Sequence, residues 1–251
     1  MHWKNRPVAS ITRHDVMTVI DTVRARGHQS NAHHVFGYIR RLFNFAIMRG
    51  VLEHSPCDRI KASELIGPKV IRQRVLTDDE LRAFWEATGR LGYPYCQLYR
   101  LLLVTGQRRG EVNGAKWREF DLEAKLWAVP PERFKSNSTH LVPLSPMALG
   151  ILATVPEDSD PLFSVDGFSK NKRRLDKLMG FPAPFVIHDL RRTVRTRLSG
   201  LKVRTEVAEL IIGHGKKGLA RIYDQHEYLD EMRDALDAWA NTLSAIVARA
   251  N

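Results

Sequence analysis

The sequence of 251 residues has few cysteines and no long apolar run. Its two cysteines, Cys57 and Cys96, lie far apart, which argues against a disulfide framework and against a cysteine-based zinc site. No apolar run reaches the ~18 residues that a membrane-spanning helix needs. The residues that follow Met1 do not form the apolar core of a signal peptide. Together these absences predict a cytoplasmic protein without a membrane partner.

The chain also lacks a tight cluster of carboxylates, the arrangement that would hold two magnesium ions. Positive charge, by contrast, is abundant: the net charge is +11, and only the tail from residue 224 onward is acidic. A basic body favours a polyanionic partner such as DNA, with an affinity that depends on salt. A basic protein without a nucleic-acid partner is the alternative that charge alone leaves open.

Two amphipathic helices are predicted in the first 66 residues. Thr12 is a candidate N-cap for a helix that runs to about residue 26, and a second helix spans about residues 31–49. Arg40 and Arg41 make the second helix basic, with aromatic residues between its charges. This pattern fits a small helical module on DNA phosphates, and a solvated helix face is the alternative interpretation.

A second domain is predicted to begin near residue 75. The stretch from Lys61 to Arg74 has weak periodicity, which indicates a linker. We assign residues 67–74 to this linker. The sequence Thr77-Asp78-Asp79-Glu80 then forms a capping box at the start of a helix. Three short strands follow at residues 119–121, 126–129 and 140–142, and an amphipathic helix closes the chain at about residues 228–248. The predicted fold class is mainly α with a small three-stranded antiparallel β-sheet.

Six residues, scattered along the second domain, are candidates for one reaction centre on a phosphodiester. Each of them alone is compatible with an ordinary core or surface role, so the signal is the set and its order. The candidates are Arg108, Lys135, His188, Arg191, His214 and Tyr223.

The chemistry of these residue types suits attack of a tyrosine on DNA. The two arginines can donate paired hydrogen bonds to phosphate oxygens and stay charged at any useful pH. A phenol with a pKa of ~10 needs nearby cations or a base to become a nucleophile. His188 could take its proton, His214 could donate to a phosphate oxygen, and Lys135 could protonate the departing 5′-oxygen. Because the cations are side chains, no metal or other cofactor is predicted.

The ordered motifs resemble the tyrosine recombinase (phage-type integrase) family over roughly residues 8–245. They comprise T-G-x-R-x-x-E at Thr105–Glu111, Lys135 in a hairpin, H-x-L-R at His188–Arg191, and G-H followed nine residues later by Tyr223. The segment Tyr223–Asp230 is particularly similar to integrases of prophages and integrative islands.

The resemblance implies a site-specific recombinase that integrates or excises a mobile element through a 3′-phosphotyrosine intermediate. Residues 1–66 would be a helical core-type DNA-binding domain, and residues 75–251 a catalytic domain ending in a docking helix. The implied partners are double-stranded DNA at the core of an attachment site and further copies of the chain, assembled as a tetramer on DNA. DNA-bending accessory proteins are a further candidate partner, and the DNA-bound protein would associate with the nucleoid.

Some features depart from the family pattern or leave alternatives open. An arm-binding domain is not recognisable, which leads us to expect a shortened N-terminus. Tyr228 is a rival nucleophile five residues beyond Tyr223, while Arg109, Arg192 and Glu111 are interpreted as structural or phosphate-clamping residues. A type IB topoisomerase-like enzyme and a catalytically silent DNA-binding regulator of the same fold are the alternative functions.

Overall fold

The computed structural model describes residues 3–27, 29–181, 183–215 and 228–248, and the chain divides into two compact units between Arg72 and Gln73. The helices of the first unit are α1 (Arg13–Ala25), α2 (Gln29–Met48) and α3 (Ala62–Leu65). Thr12 is the N-cap of α1, as predicted, and the structure adds a capping box: the backbone N–H of Asp15 donates to the Thr12 hydroxyl (3.3 Å), and that of Thr12 donates to the Asp15 carboxylate (2.8 Å).

The core of the first unit lies between α1 and α2. Val16 and Ile20 of α1 are buried in one core with Phe36 and Phe43 of α2. Because these apolar residues recur every three or four positions, each helix turns one continuous apolar face toward the other. The opposite face of α2 is exposed and carries basic residues such as Arg41.

The first part of the segment whose weak periodicity indicated a linker, residues 62–66, belongs to the core of the first unit. Residues 62–65 form α3, and Ile66 is 3% exposed in the core of the first unit. Arg24 donates to the carbonyl oxygen of Leu65 (2.8 Å), and Gln29 donates to that of Pro68 (3.0 Å). Apolar side chains that cover a helix pair and long-range hydrogen bonds explain why a weakly periodic stretch is folded.

The second unit contains the small sheet and the remaining described helices. Its elements are α4 (Asp78–Gly89), α5 (Tyr95–Thr105), α6 (Arg109–Asn113), β1 (Phe120–Asp121), β2 (Leu126–Val129), β3 (His140–Pro143), α7 (Pro146–Leu152), α8 (Phe168–Met179), α9 (Ile187–Gly200), α10 (Thr205–Ile211) and α11 (Leu229–Ala248). The strands pair antiparallel in the order β1-β2-β3. This architecture confirms the predicted fold class, mainly α with a three-stranded antiparallel sheet.

Helix α5 crosses the core of the second unit and delivers the chain to the candidate site. Leu98, Leu101 and Leu103 are fully buried in it. The helix ends at Gly106, which has a φ of +68° and whose N–H donates to the Leu102 carbonyl oxygen (3.0 Å). A Cβ at this position would lie 3.0 Å from Val194 of α9, so glycine permits both the left-handed turn and the close approach of α9.

The tail helix α11 packs its apolar face onto the core of its own unit. Trp239 is completely buried and donates from its indole N–H to the carbonyl oxygen of Leu103 (3.0 Å), and Leu243 and Ile246 are buried beside it. The carboxylate of Asp230 points to solvent. None of the helices within the described ranges has the length and apolar character needed to cross a membrane.

We expect Trp239→Ala to lower the free energy of unfolding of the second unit by about 3–5 kcal/mol, because it removes a large buried side chain and leaves a cavity. Trp117→Ala is the matched control, since Trp117 is only partly buried and donates to the Pro156 carbonyl oxygen near the surface. Urea unfolding followed by circular dichroism measures both. Equal losses for the two tryptophans would contradict the anchoring role of α11.

Candidate active site

Arg108 is held rigidly at the start of α6 by Glu111. The Glu111 carboxylate accepts the backbone N–H of Arg108 (2.9 Å) through one oxygen and its guanidinium Nη1 (2.7 Å) through the other. Glu111 is 3% exposed, so these charge-assisted bonds form where little water competes. Arg108 Nη2 also donates to the carbonyl oxygen of Gly213 (3.2 Å), which joins α6 to the end of α10.

Arg191, on α9, is a buried guanidinium with spare hydrogen-bonding capacity. It is 4% exposed, and its Nη1 donates to the carbonyl oxygen of Gly106 (2.9 Å). Its Nη2 has no hydrogen-bond acceptor among the described parts of the protein. Burial, together with the neighbouring Arg108 charge, lowers the pKa of Arg191 to about 10. A buried donor without an acceptor costs free energy, and an anion at this point would satisfy it.

His188 lies three residues before Arg191 and therefore on the same face of α9. Burial lowers its pKa, and the positive charges of Arg192, Arg191 and Arg108 lower it further. A lowered pKa keeps the imidazole neutral near pH 7 and able to accept a proton. His188, Arg108 and Arg191 line one cavity of about 730 Å³. Lys172 and Phe168 of helix α8 also line this cavity.

The two arginines that we interpreted as structural or phosphate-clamping residues each contact a side chain of the protein itself. Arg109 stacks its guanidinium on the Phe168 ring at 4.7 Å from the ring centre. Arg192 donates to the carboxylate of Asp189 (2.5 Å) on the same helix.

His214 follows a helix end of the Schellman type. The N–H of His214 donates to the Glu209 carbonyl oxygen (2.8 Å), and the N–H of Gly213, whose φ is +63°, donates to that of Leu210 (2.8 Å). The imidazole Nδ1 of His214 lies 2.7 Å from the Glu209 carboxylate. The structure therefore places His214 one residue beyond the carbonyl group that Arg108 binds.

Lys135 lies in the connection between β2 and β3, as predicted, and its side chain is exposed. The preceding residue, Phe134, stacks on His140 with ring centres 4.6 Å apart and lies under the Arg108 guanidinium, 5.4 Å from the ring centre. A Cβ at Gly213 would come within 2.7 Å of the Phe134 ring. Phe134 thus fixes the start of the lysine loop against the elements that carry Arg108 and His214.

Tyr223, the predicted nucleophile, lies outside the residues that the structure describes, so its role stays a prediction. The rival, Tyr228, is described: its ring lies against the Arg204 guanidinium, 5.3 Å from the ring centre. Of the six predicted residues, the structure brings Arg108, His188 and Arg191 to one cavity. Arg108 also contacts the residues that precede His214 and Lys135, which are Gly213 and Phe134.

Two buried polar residues beneath the site were not predicted. Gln107 donates to the carbonyl oxygen of Ile211 (2.7 Å) at the end of α10, and its amide oxygen lies 3.1 Å from Nε2 of His140. Burial lowers the pKa of His140 to about 4, so the ring is neutral at physiological pH. These bonds connect α5, β3 and α10. No sequence signal marked them, because the contacts join residues 33 and 104 positions apart.

The neutral His140 predicts a loss of stability in acid. Its folded pKa of about 4 lies below the unfolded value of ~6.5, so the unfolded chain binds the proton first as the pH falls. The stabilisation that comes from the neutral ring is therefore fully present above pH ~6.5. It is lost as the pH falls toward ~4, which lowers the free energy of unfolding by roughly 3 kcal/mol. His140→Gln should lose less stability over this interval. Urea unfolding at pH 7, 5.5 and 4 gives the dependence of the free energy of unfolding on pH for the wild type and for His140→Gln. The same dependence in both proteins would contradict this prediction.

Comparison with known proteins shows the family of the chain. The profile of the Phage integrase family matches residues 74–229, and that of the Phage integrase central domain matches residues 1–63. The chain belongs to the phage integrase family. The first profile covers the whole set of predicted site residues, from Arg108 to Tyr223.

Relatives and solved structures of integrases match most of the chain. Prophage integrase IntA of Escherichia coli is 26% identical over 95% of this chain, and the chain spans 60% of the length of IntA. An integrase of the transposon Tn1549 has the same fold, with a TM-score of 0.71 and 16% identity, over 92% of this chain and 87% of the other. Lambda integrase has a TM-score of 0.67 and 20% identity, over 84% and 81% of the two chains.

Proposed function

We propose that this chain is the DNA-cleaving part of a site-specific tyrosine recombinase, which integrates or excises a mobile element. The observation that carries this proposal is the buried guanidinium of Arg191, whose Nη2 has no acceptor among the described residues. It shares a cavity with Arg108 and with His188. Two guanidinium groups and an imidazole around one cavity suit a phosphate whose charge grows in the transition state.

The proposed reaction is a transesterification at phosphorus. The phenol oxygen of Tyr223 attacks, forming a bond to the 3′-phosphate, while the bond from phosphorus to the 5′-oxygen breaks. His188 accepts the phenol proton, and Lys135 supplies a proton to the leaving 5′-oxygen. Arg108, Arg191 and His214 donate to the non-bridging oxygens. Attack of another 5′-hydroxyl on the phosphotyrosine reverses the step and rejoins the strands without a separate energy source.

The proposed partner is double-stranded DNA at the core of an attachment site. Members of the same family have been solved as a lambda integrase dimer bound to a core site and as a tetramer bound to a Holliday junction. Those precedents, together with the net charge of +11, support DNA binding by both units and assembly of four copies on DNA. The basic exposed face of α2 fits a core-type DNA-binding role for the first unit.

The experiment that tests this function is trapping of the covalent intermediate. Direct repeats in the DNA that flanks the gene define candidate core sites, and a duplex with a nick near the expected cleavage point loses the short 5′-hydroxyl fragment. We expect a protein–DNA adduct that survives denaturant and is released by protease. Sequence-independent relaxation of plasmid DNA would favour a topoisomerase, and specific binding without any adduct would favour a silent regulator.

A further inference from the structure

The side chains of Glu209 and His214 are brought together by the helix end itself. In a Schellman motif, the third residue before the cap and the second residue after it lie side by side, and they are commonly both apolar. Here those two positions hold Glu209 and His214. The backbone bond from His214 N–H to the Glu209 carbonyl oxygen (2.8 Å) is accompanied by a side-chain bond of 2.7 Å. A polar pair at an ordinarily apolar position calls for an explanation.

The second oxygen of the Glu209 carboxylate is bound by Arg195, whose Nε donates to it at 2.7 Å. Arg195 follows His188 by seven residues and Arg191 by four, so the three share one face of α9. Burial would raise the pKa of Glu209, but its hydrogen bonds with Arg195 and His214 outweigh burial and lower it. An ionised carboxylate thus connects α9, the helix of His188 and Arg191, to the imidazole of His214.

We propose that Glu209 is a positioning residue for His214. An ionised carboxylate only accepts hydrogen bonds, so the ring nitrogen that faces it, Nδ1, must carry a proton. Nε2 then points away from Glu209 and is the nitrogen available to DNA. In the doubly protonated ring, Nδ1–H binds Glu209 and Nε2–H donates to a phosphate oxygen. Arg195 bonds this carboxylate to α9, the helix that also carries His188 and Arg191.

Glu209→Gln is the informative variant because it separates shape from proton placement. The Gln oxygen must face Arg195, which has only donors, and its NH₂ group then faces His214. Nδ1 would have to become an acceptor, and the proton would move to Nε2. Glu206→Gln is the matched control on the same helix: Glu206 is 53% exposed and its charge partner is Arg204, at 3.7 Å.

The first measurement is nitrogen NMR of the histidine rings in the DNA-free protein, with His214 assigned by the signal lost in His214→Gln. We expect a protonated Nδ1 in the wild type and in Glu206→Gln, and a neutral ring protonated on Nε2 in Glu209→Gln. An unchanged His214 signal in Glu209→Gln would overturn the proposal. A wild-type ring with an unprotonated Nδ1 would overturn it as well.

The second measurement is the rate of strand cleavage, and this part rests on the proposed function. Glu209→Gln keeps an Nε2–H donor, but a neutral amide supports a positively charged imidazole less well than an ionised carboxylate does, so the hydrogen bond to the phosphate is weaker. We therefore expect this variant to cleave about tenfold more slowly, the lower end of the effects found for partners that orient a metal-binding histidine, with DNA affinity changed less than about twofold. Glu209→Asp should recover part of the rate, and Glu206→Gln should match the wild type. Wild-type cleavage by Glu209→Gln would refute the positioning role. If none of the proteins forms an adduct but Glu209→Gln still shows the tautomer change, the proposed function would be refuted and the positioning role of Glu209 would stand.

Discussion

Tyr223→Phe is expected to abolish the covalent protein–DNA adduct completely. Phenylalanine keeps the ring but removes the oxygen that bonds to phosphorus, and no other group in the proposed reaction can form that bond. DNA affinity should stay within about twofold of the wild type, because the hydroxyl contributes one hydrogen bond among many contacts to the DNA backbone.

The matched control is Tyr228→Phe, five residues further along the chain. The Tyr228 ring lies against the Arg204 guanidinium, and a phenylalanine ring can keep that contact. This variant should therefore form the adduct at a rate close to that of the wild type. The measurement is gel separation of adducts on nicked duplexes, followed by mass spectrometry of the DNA-linked peptide. An adduct that persists in Tyr223→Phe, or one mapped to Tyr228, would refute the assignment of the nucleophile.

Arg191→Met should have the second-largest effect, a loss of about 10²–10³ in the rate of strand cleavage. Methionine fills a comparable volume but removes the guanidinium, whose Nη2 is free to donate to the phosphate. Loss of one such donor at a site of growing negative charge has this cost. Arg192→Met is the matched control on the same helix, because Arg192 is paired with Asp189. We expect its cleavage rate to fall less than tenfold.

The same substitution is expected to leave the fold stable, which distinguishes a catalytic loss from unfolding. A guanidinium whose pKa falls to about 10 on folding is less favourable as a cation in the folded protein, at a cost on the order of 3 kcal/mol. Removing it relieves that cost but leaves the Gly106 carbonyl oxygen without its partner, a loss of about 1–3 kcal/mol. The free energy of unfolding should thus change by less than about 2 kcal/mol. A larger fall with normal cleavage would assign Arg191 a structural role instead.

The buried polar groups near Arg191 are bonded to one another or to the backbone. Glu111 is a buried carboxylate that balances the neighbouring Arg108, and Gln107 and His140 satisfy backbone and side-chain groups below the site. A buried network whose groups are bonded to one another is rigid, so Nη2 of Arg191, which has no acceptor among the described residues, has a defined direction. In the proposed reaction, that rigidity holds the donors in place for a phosphate before any DNA is bound.

Local chemistry made much of the fold predictable. Thr12 and Thr77 began helices where their side chains could accept backbone N–H groups, and the structure has both capping boxes. The change from helical to alternating periodicity located the three strands to within one residue. These signals depend on residues within four positions of each other, so they can be recognised without knowledge of the tertiary fold. The same reasoning failed at residues 62–66, whose folding depends on contacts to α1 and α2.

The sequence by itself determined most of the helices and strands, the family, and the order of the six candidate residues, because each rests on residue types and spacings. Only the tertiary structure decided which elements meet at the site: Arg195 of α9 donates to Glu209 of α10, and Arg108 donates to the Gly213 carbonyl oxygen beyond α10. Pairings across 14 to 105 positions depend on how helices pack, and a linear pattern carries no record of that packing.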